Sequence, residues 1–373
     1  MAYVCTSIRL FLVQVLILVS KCKAEVPAVI VFGDSSVDSG NNNQIPTMAR
    51  SNFEPYGRDF LGGRPTGRFS NGRIASDFVS EAFGLKPTVP AFLDPMYNIS
   101  DFASGVCFAS AGTGYDNATS NVMVGINTHF SLHTLLPFYQ VLHVNPKKLA
   151  RVIIHSVLLF LEVSGLNGGS MAQENSQVVR QLSYGSADIE QSPRGVIPLW
   201  REVEYYKDYQ KKLKEYAGEE KANEIIREAL YLVSIGTNDF LENYYIFPDR
   251  QSQFTIRQYE DFLIGIARNF IQDLYGLGAR KIALAGLPPM GCLPLERATN
   301  IMEFHGCVEE YNNLALEFNG KLEGLVAKLN EELPDLNMEF ADVYNIFLQI
   351  IRRPSTYGME VVEVGCCGTG TFE

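Results

Sequence analysis

No apolar stretch of this chain is long enough to cross a bilayer as a helix. Leu10–Val19 and Val152–Val163 both fall short of the roughly 20 residues that a span needs. Basic residues are outnumbered, 31 against 42 acidic, for a formal net charge of −11. A surface of that sign repels phosphate backbones, so nucleic acid is excluded as a partner. Cysteine is sparse, seven in 373 residues, and its spacings match no tetrahedral zinc site. Histidine is scarcer still, with five residues. Four of them (His129, His133, His143 and His155) fall in 124–194, a stretch without pattern in which clustered histidines carry no metal-site signal. Internal repeats and linkers are missing, so a chain that is 46% hydrophobic reads as one large domain with no metal or cofactor implied.

At the N-terminus, Arg9 precedes the apolar run and Lys21-Cys22-Lys23-Ala24 follows it, which reads as a signal peptide over 1–24. The expected location is outside the cell, extracellular or in the cell wall. Cleavage removes three bases and no acid, taking the net charge from −11 to −14. It also leaves Cys107, Cys292, Cys307, Cys366 and Cys367, and secretion points to disulfides, with Cys292–Cys307 closing a short loop. Sequons at Asn98-Ile99-Ser100 and Asn117-Ala118-Thr119 fit glycosylated surface loops.

The apolar run Ala28–Phe32 predicts a buried strand that breaks at Gly33 into a turn carrying Asp34, Ser35, Ser36, Asp38 and Ser39. A hydroxyl at the carboxyl end of a strand is where open α/β sheets place their chemistry. A helix following that turn would favour a developing negative charge through its N-terminal amides. Ile45–Gly72 reads as a long ordered loop in which Arg64, Arg68 and Arg73 act as charge-assisted pins or hold an anion. Helices are predicted over Ile74–Phe83, Trp200–Tyr216, Glu219–Leu230, Ile256–Gly276, Cys307–Leu333 and Val343–Ile351. Gly105–Gly114 is a small-residue strand and turn. Further strands are predicted over Tyr231–Ile235, Lys281–Ala285 and Asn337–Ala341. This alternation predicts a three-layer α/β/α sandwich around a mostly parallel, doubly wound sheet.

GDSSVDSGNNN (33–43) is followed in order by PYGRDF (55–60), GRFSNGR (67–73), GVCFASAGTG (105–114), SIGTNDF (234–240) and GLPPMGCLP (286–294). These blocks resemble the plant-type GDSL esterase/lipases of the SGNH hydrolase superfamily, over about 27–123 and 195–370. Residues 25–373 then form one hydrolase domain, with 124–194 as an insertion resembling no family block. The resemblance implies a secreted carboxylic-ester hydrolase acting on lipid or other acyl esters through an acyl-enzyme. It makes Ser35 the nucleophile. The Ser35 amide, the Gly112 amide and the Asn238 side chain become oxyanion donors, with Gly105 a weaker alternative to Gly112. The absence of a Gly-x-Ser-x-Gly elbow around Ser35 agrees with this type over the classical α/β-hydrolases.

In that family an Asp-x-x-His element near the C-terminus supplies the base and its orienting carboxylate. This sequence reaches Glu373 without one, so base His and orienting Asp are absent from the 373 residues and impaired activity is expected. The remaining histidine, His305, lies in a predicted surface loop. Asp38, with an ordinary carboxyl pKa, is too weak a base at neutral pH. Two alternatives stay open: an inactive secreted protein that binds acyl or glycan ligands, and a mis-spliced fragment.

Overall fold

Val29, Ile30, Val31 and Phe32 are apolar at consecutive positions, leaving neither face of the strand for water, as an interior parallel strand requires. In a computed structural model of the chain, all four are fully buried. The structure describes residues 26–60, 62–122, 195–300, 303, 305–359 and 362. The predicted leader, the stretch 124–194 with its four histidines, and Cys366 and Cys367 lie outside the described residues.

In chain order the elements are β1 (Val29–Gly33), α1 (Ala75–Ala82), α2 (Ile99–Phe102), β2 (Gly105–Cys107), α3 (Leu199–Ala217), α4 (Glu219–Glu228) and β3 (Leu230–Ser234). A π-helical segment, Asp239–Ile246, leads to α5 (Pro248–Gln253) and α6 (Ile256–Gly276). Then come β4 (Lys281–Ala285), α7 (Pro294–Thr299), α8 (Glu309–Glu332), β5 (Asn337–Ala341) and α9 (Val343–Arg352). The strands form one parallel sheet in the order β2-β1-β3-β4-β5. Crossing from β2 to β1 and then out to β3 reverses the winding direction, and such a switch point opens a crevice at the carboxyl ends of β1 and β3.

The pleat separates two cores. Ile30, Phe32, Tyr231, Val233, Ile282 and Leu284 pack against residues of α3, α6 and α8. Val29, Val31 and Leu230 face the other way, onto Val79 of α1 and Val89. Helices therefore lie on both faces, as predicted. Helix α6 occupies the predicted residues because both ends are marked. Thr255 and Gln258 form a capping box at its start, and Gly276 and Leu277 close its last turn.

The arginine-rich loop is held by pins. Arg68 makes a buried bidentate pair with Asp77 at 2.8 and 2.9 Å and also donates to the Val89 carbonyl. Arg73 reaches Glu81 and the Pro87 carbonyl, while Arg64 is exposed. Cys292 and Cys307 form the expected disulfide, and Cys107 is a buried free thiol. Among the described residues no helix is long and apolar enough to cross a membrane.

Candidate active site

β1 ends where only glycine fits. Gly33 has φ 140°, and a Cβ there would lie 2.0 Å from the Ser234 carbonyl oxygen of β3. Past it, the Asp34 amide still bonds to the Ser234 carbonyl at 3.0 Å, and the Val37 and Asp38 amides turn back onto the Asp34 carbonyl. The Asp34 carboxyl accepts the Ser36 amide at 2.9 Å and the Ser36 hydroxyl at 2.7 Å, which fixes the turn. Burial pushes Asp34 up to about 6. Ser35 sits half-buried on this turn. Among the described residues, nothing bonds to its hydroxyl or its amide.

No α-helix follows Ser35 directly, so the condition on which a helix dipole would favour negative charge there is not met. The Asp38 side chain ends the turn by accepting the Gly40 and Asn41 amides, and only a 3-10 turn, Asn41–Gln44, comes after. Developing charge at this site would therefore be met by individual donors and not by a helix dipole.

Two other strand ends converge here. Beyond β2, the Phe108 and Ser110 amides extend the ladder onto the Val31 and Gly33 carbonyls, and the Ala111 amide donates to Asp38 at 3.1 Å. Gly112 then turns at φ 85°, with its own amide unengaged among the described residues. Beyond β3, the buried Asn238 donates through Nδ2 to the Thr113 carbonyl at 2.9 Å. An amide nitrogen carries two protons, so a second is left for a ligand. Asn238 and the Gly112 turn are thus in contact, and the Ser35 turn projects from the strand between theirs. Gly105, by contrast, pairs with Val29 at the opposite end of β1, four residues or about 13 Å from Gly33. That removes it as an oxyanion donor.

Asp239 organises the loop after β2. Its carboxyl accepts the Tyr115 amide at 2.7 Å, the Asp116 amide at 3.0 Å and the Thr119 hydroxyl at 2.6 Å. A Cβ on Gly114 would fall 2.3 Å from this carboxyl. Burial outweighs those donors and pushes Asp239 up to about 7. Asp116 in turn is gripped by Arg250 of α5 at 2.7 and 2.9 Å, and contacts Asn243 and Tyr259.

Asp38 does not keep the ordinary carboxyl pKa expected from the sequence. Burial raises Asp38 to about 6, but its two oxygens take the Gly40, Asn41 and Ala111 amides, which makes it a loop brace. His305 is exposed, with Nδ1 against the Arg297 carbonyl of α7. Among the described residues no group of three His, Cys, Asp or Glu side chains is arranged to hold a metal.

The sequence reading missed Asp239, Arg250 and Glu202. Asp239 stands within Gly-Thr-Asn-Asp, where attention went to the asparagine. Glu202 had a legible signal: it interrupts the apolar stripe Leu199, Val203, Tyr206 and Leu213 of α3 at a position that the helical period buries.

Residues 29–372 match the family described as GDSL-like Lipase/Acylhydrolase. The chain is 52% identical over 356 residues to GDSL esterase/lipase At2g42990 of Arabidopsis thaliana, covering 95% of this chain and 81% of that protein. It is 51% identical over 349 residues to GDSL esterase/lipase At2g04570 (94% and 79%), and 47% identical over 360 to GDSL esterase/lipase At4g26790 (96% and 82%), both from the same plant.

Proposed function

Because this chain belongs to the GDSL-like lipase/acylhydrolase family, whose members are hydrolases acting on ester bonds, we propose that Ser35 is its nucleophile. In this reading the Ser35 hydroxyl oxygen bonds to the acyl carbon and its proton passes to a base. The carbonyl oxygen takes up the charge. It is met by the Ser35 and Gly112 amides and by the second Nδ2 proton of Asn238. Collapse expels the alcohol and leaves an acyl-enzyme that water hydrolyses. One observation supports the proposal: two backbone amides and a hydroxyl left unengaged among the described residues, and a buried carboxamide, lie beyond the carboxyl ends of three adjacent strands.

The 373 residues include no Asp-x-x-His. For these 373 residues taken by themselves, with no base supplied, the expected rate is residual, about a thousandfold above water, by analogy with serine proteases stripped of their triad. This suggests chemical rescue. Added imidazole should raise p-nitrophenyl acetate hydrolysis by the parent chain and leave Ser35→Ala at the solution rate. An equal response from Ser35→Ala would end the serine reading, while full activity without imidazole would end the impairment. The missing base also favours a second reading, a secreted protein that binds acyl or glycan ligands. Saturable ligand binding, with no rate even in imidazole, would decide for it.

Secretion after cleavage at Ala24 is part of the proposal, as is glycosylation at Asn98 and Asn117, both exposed. Protein recovered from the medium should begin at Glu25 and lose mass on deglycosylation. We also read 124–194 as an insertion. The chain is last described at Val122 and next at Gly195, where the Val196 amide bonds to the Ser120 carbonyl at 3.1 Å. The two ends already meet, so a chain lacking 124–194 should fold.

A further inference from the structure

The amide of Gly33 leaves the β1–β2 ladder. Val29 pairs with Gly105 and Val31 with Cys107, and the Phe108 and Ser110 amides bond to the Val31 and Gly33 carbonyls. In that register the Gly33 N–H belongs on the Phe108 carbonyl. At φ 140° it turns away, and it donates instead to Oε2 of Glu202 at 3.0 Å, across 169 residues of sequence. An orphaned amide at this buried position would cost about 1–3 kcal/mol.

Glu202 is an expensive way to satisfy one amide. It is fully buried on the apolar stripe of α3, and its Oε1 has no partner. Burial pushes the carboxyl well above its usual range, and the neighbouring Asp38 and Asp34 carboxyls push it further. Burial thus favours the neutral acid, and Oε2 accepts the Gly33 amide in the manner of a carbonyl oxygen. Residues that break the local packing rule are expected where function sets the geometry, and this one holds the amide of Gly33, two positions before Ser35.

We propose that Glu202 is a positioning residue for ester hydrolysis: its Oε2 anchors the Gly33 amide and so fixes the strand end from which Ser35 is presented to the acyl carbon. The inference rests on Ser35 being the nucleophile. It assigns Glu202 no contact with substrate. What the residue sets is the direction in which the chain leaves β1, and an error of an ångström at the nucleophile is enough to cost about a hundredfold in rate.

The test compares Glu202→Gln, which keeps a neutral acceptor of the same shape, with Glu202→Leu, which removes it. Two readouts are taken: amide exchange of the peptide spanning 29–36, and imidazole-supported hydrolysis of p-nitrophenyl acetate. In Glu202→Leu we expect exchange at least tenfold faster and kcat at least tenfold lower, with KM within twofold of the parent. In Glu202→Gln both should return to the parent values. A leucine variant that leaves exchange and kcat unchanged overturns the proposal, as does a glutamine variant that loses both. Should the leucine variant not fold, the glutamine variant alone decides on the same two readouts. Exchange does not depend on turnover, so a Ser35→Ala chain that responds to imidazole like the parent would sink the serine reading while leaving the anchor itself measured.

Discussion

Asn238 commits one Nδ2 proton to the Thr113 carbonyl and keeps the other. That division has a consequence for its replacement. Asn238→Ala unties the Gly112 turn and, on the proposed assignment, also removes an oxyanion donor, so transition-state stabilisation would be lost twice over. A single oxyanion donor is worth about 10²–10³ in kcat. We expect imidazole-supported kcat to fall by at least a hundredfold in Asn238→Ala with KM little changed. A matching rise in KM instead would place Asn238 in ground-state binding. The site was partly legible before any coordinates. Ser35 and Asn238 follow apolar runs that read as strands, although Gly-Asp-Ser and Gly-Thr-Asn-Asp also suit plain turns, and Asn238 does brace the Thr113 carbonyl. Gly105 and Gly112 could not be separated by composition, since both sit in one small-residue block. Strand register separates them, because it puts Gly105 at the far edge of the sheet.

The same divide between local and long-range information runs through the elements. Strands β4 and β5 and helix α6 occupy the predicted residues because their periodicity and caps are written locally. The segment Asp239–Ile246 was not predicted. Its first six residues are all buried, polar Asp239, Glu242 and Asn243 included, so it has no solvent-facing side there to give an amphipathic signal. Asp239 and Asn243 reach residues 115–119, more than 120 positions earlier. Arg250 of α5 completes this clamp through a partly buried bidentate pair with Asp116. Arg250→Ala should destabilise the fold by about 2 kcal/mol, between the cost of an exposed and a fully buried pair. Arg250→Lys should recover little, since an ammonium cannot make both bonds. Urea unfolding measures both variants. A midpoint indistinguishable from the parent would mean that Asn243 and Tyr259 hold Asp116 unaided.

At the scale of the whole molecule, the buried carboxyls act together. Asp34 and Asp38 are raised to about 6, Asp239 and Glu296 to about 7 and Glu242 to about 8, in each case chiefly by burial. Glu202 shifts the same way. All lie above the range of an unfolded chain, so the folded state keeps protons that the unfolded state releases, and stability falls as pH rises. The loss should begin near pH 4, where unfolded carboxyls ionise, and continue to at least about pH 8 as the folded ones follow. Asp101 runs the other way, held down chiefly by its hydrogen bond to Lys86, but it is one partly exposed group against six. The acidic excess of the sequence adds in the same direction, because self-repulsion grows as carboxyls ionise. We therefore expect the melting temperature to decline steadily from pH 4.5 to pH 8. A maximum near neutrality would mean that these carboxyls find water or a cation in solution. Glu242→Gln should flatten the slope near pH 8, since among the described residues its Oε2 has no partner to lose and burial raises its carboxyl to about 8.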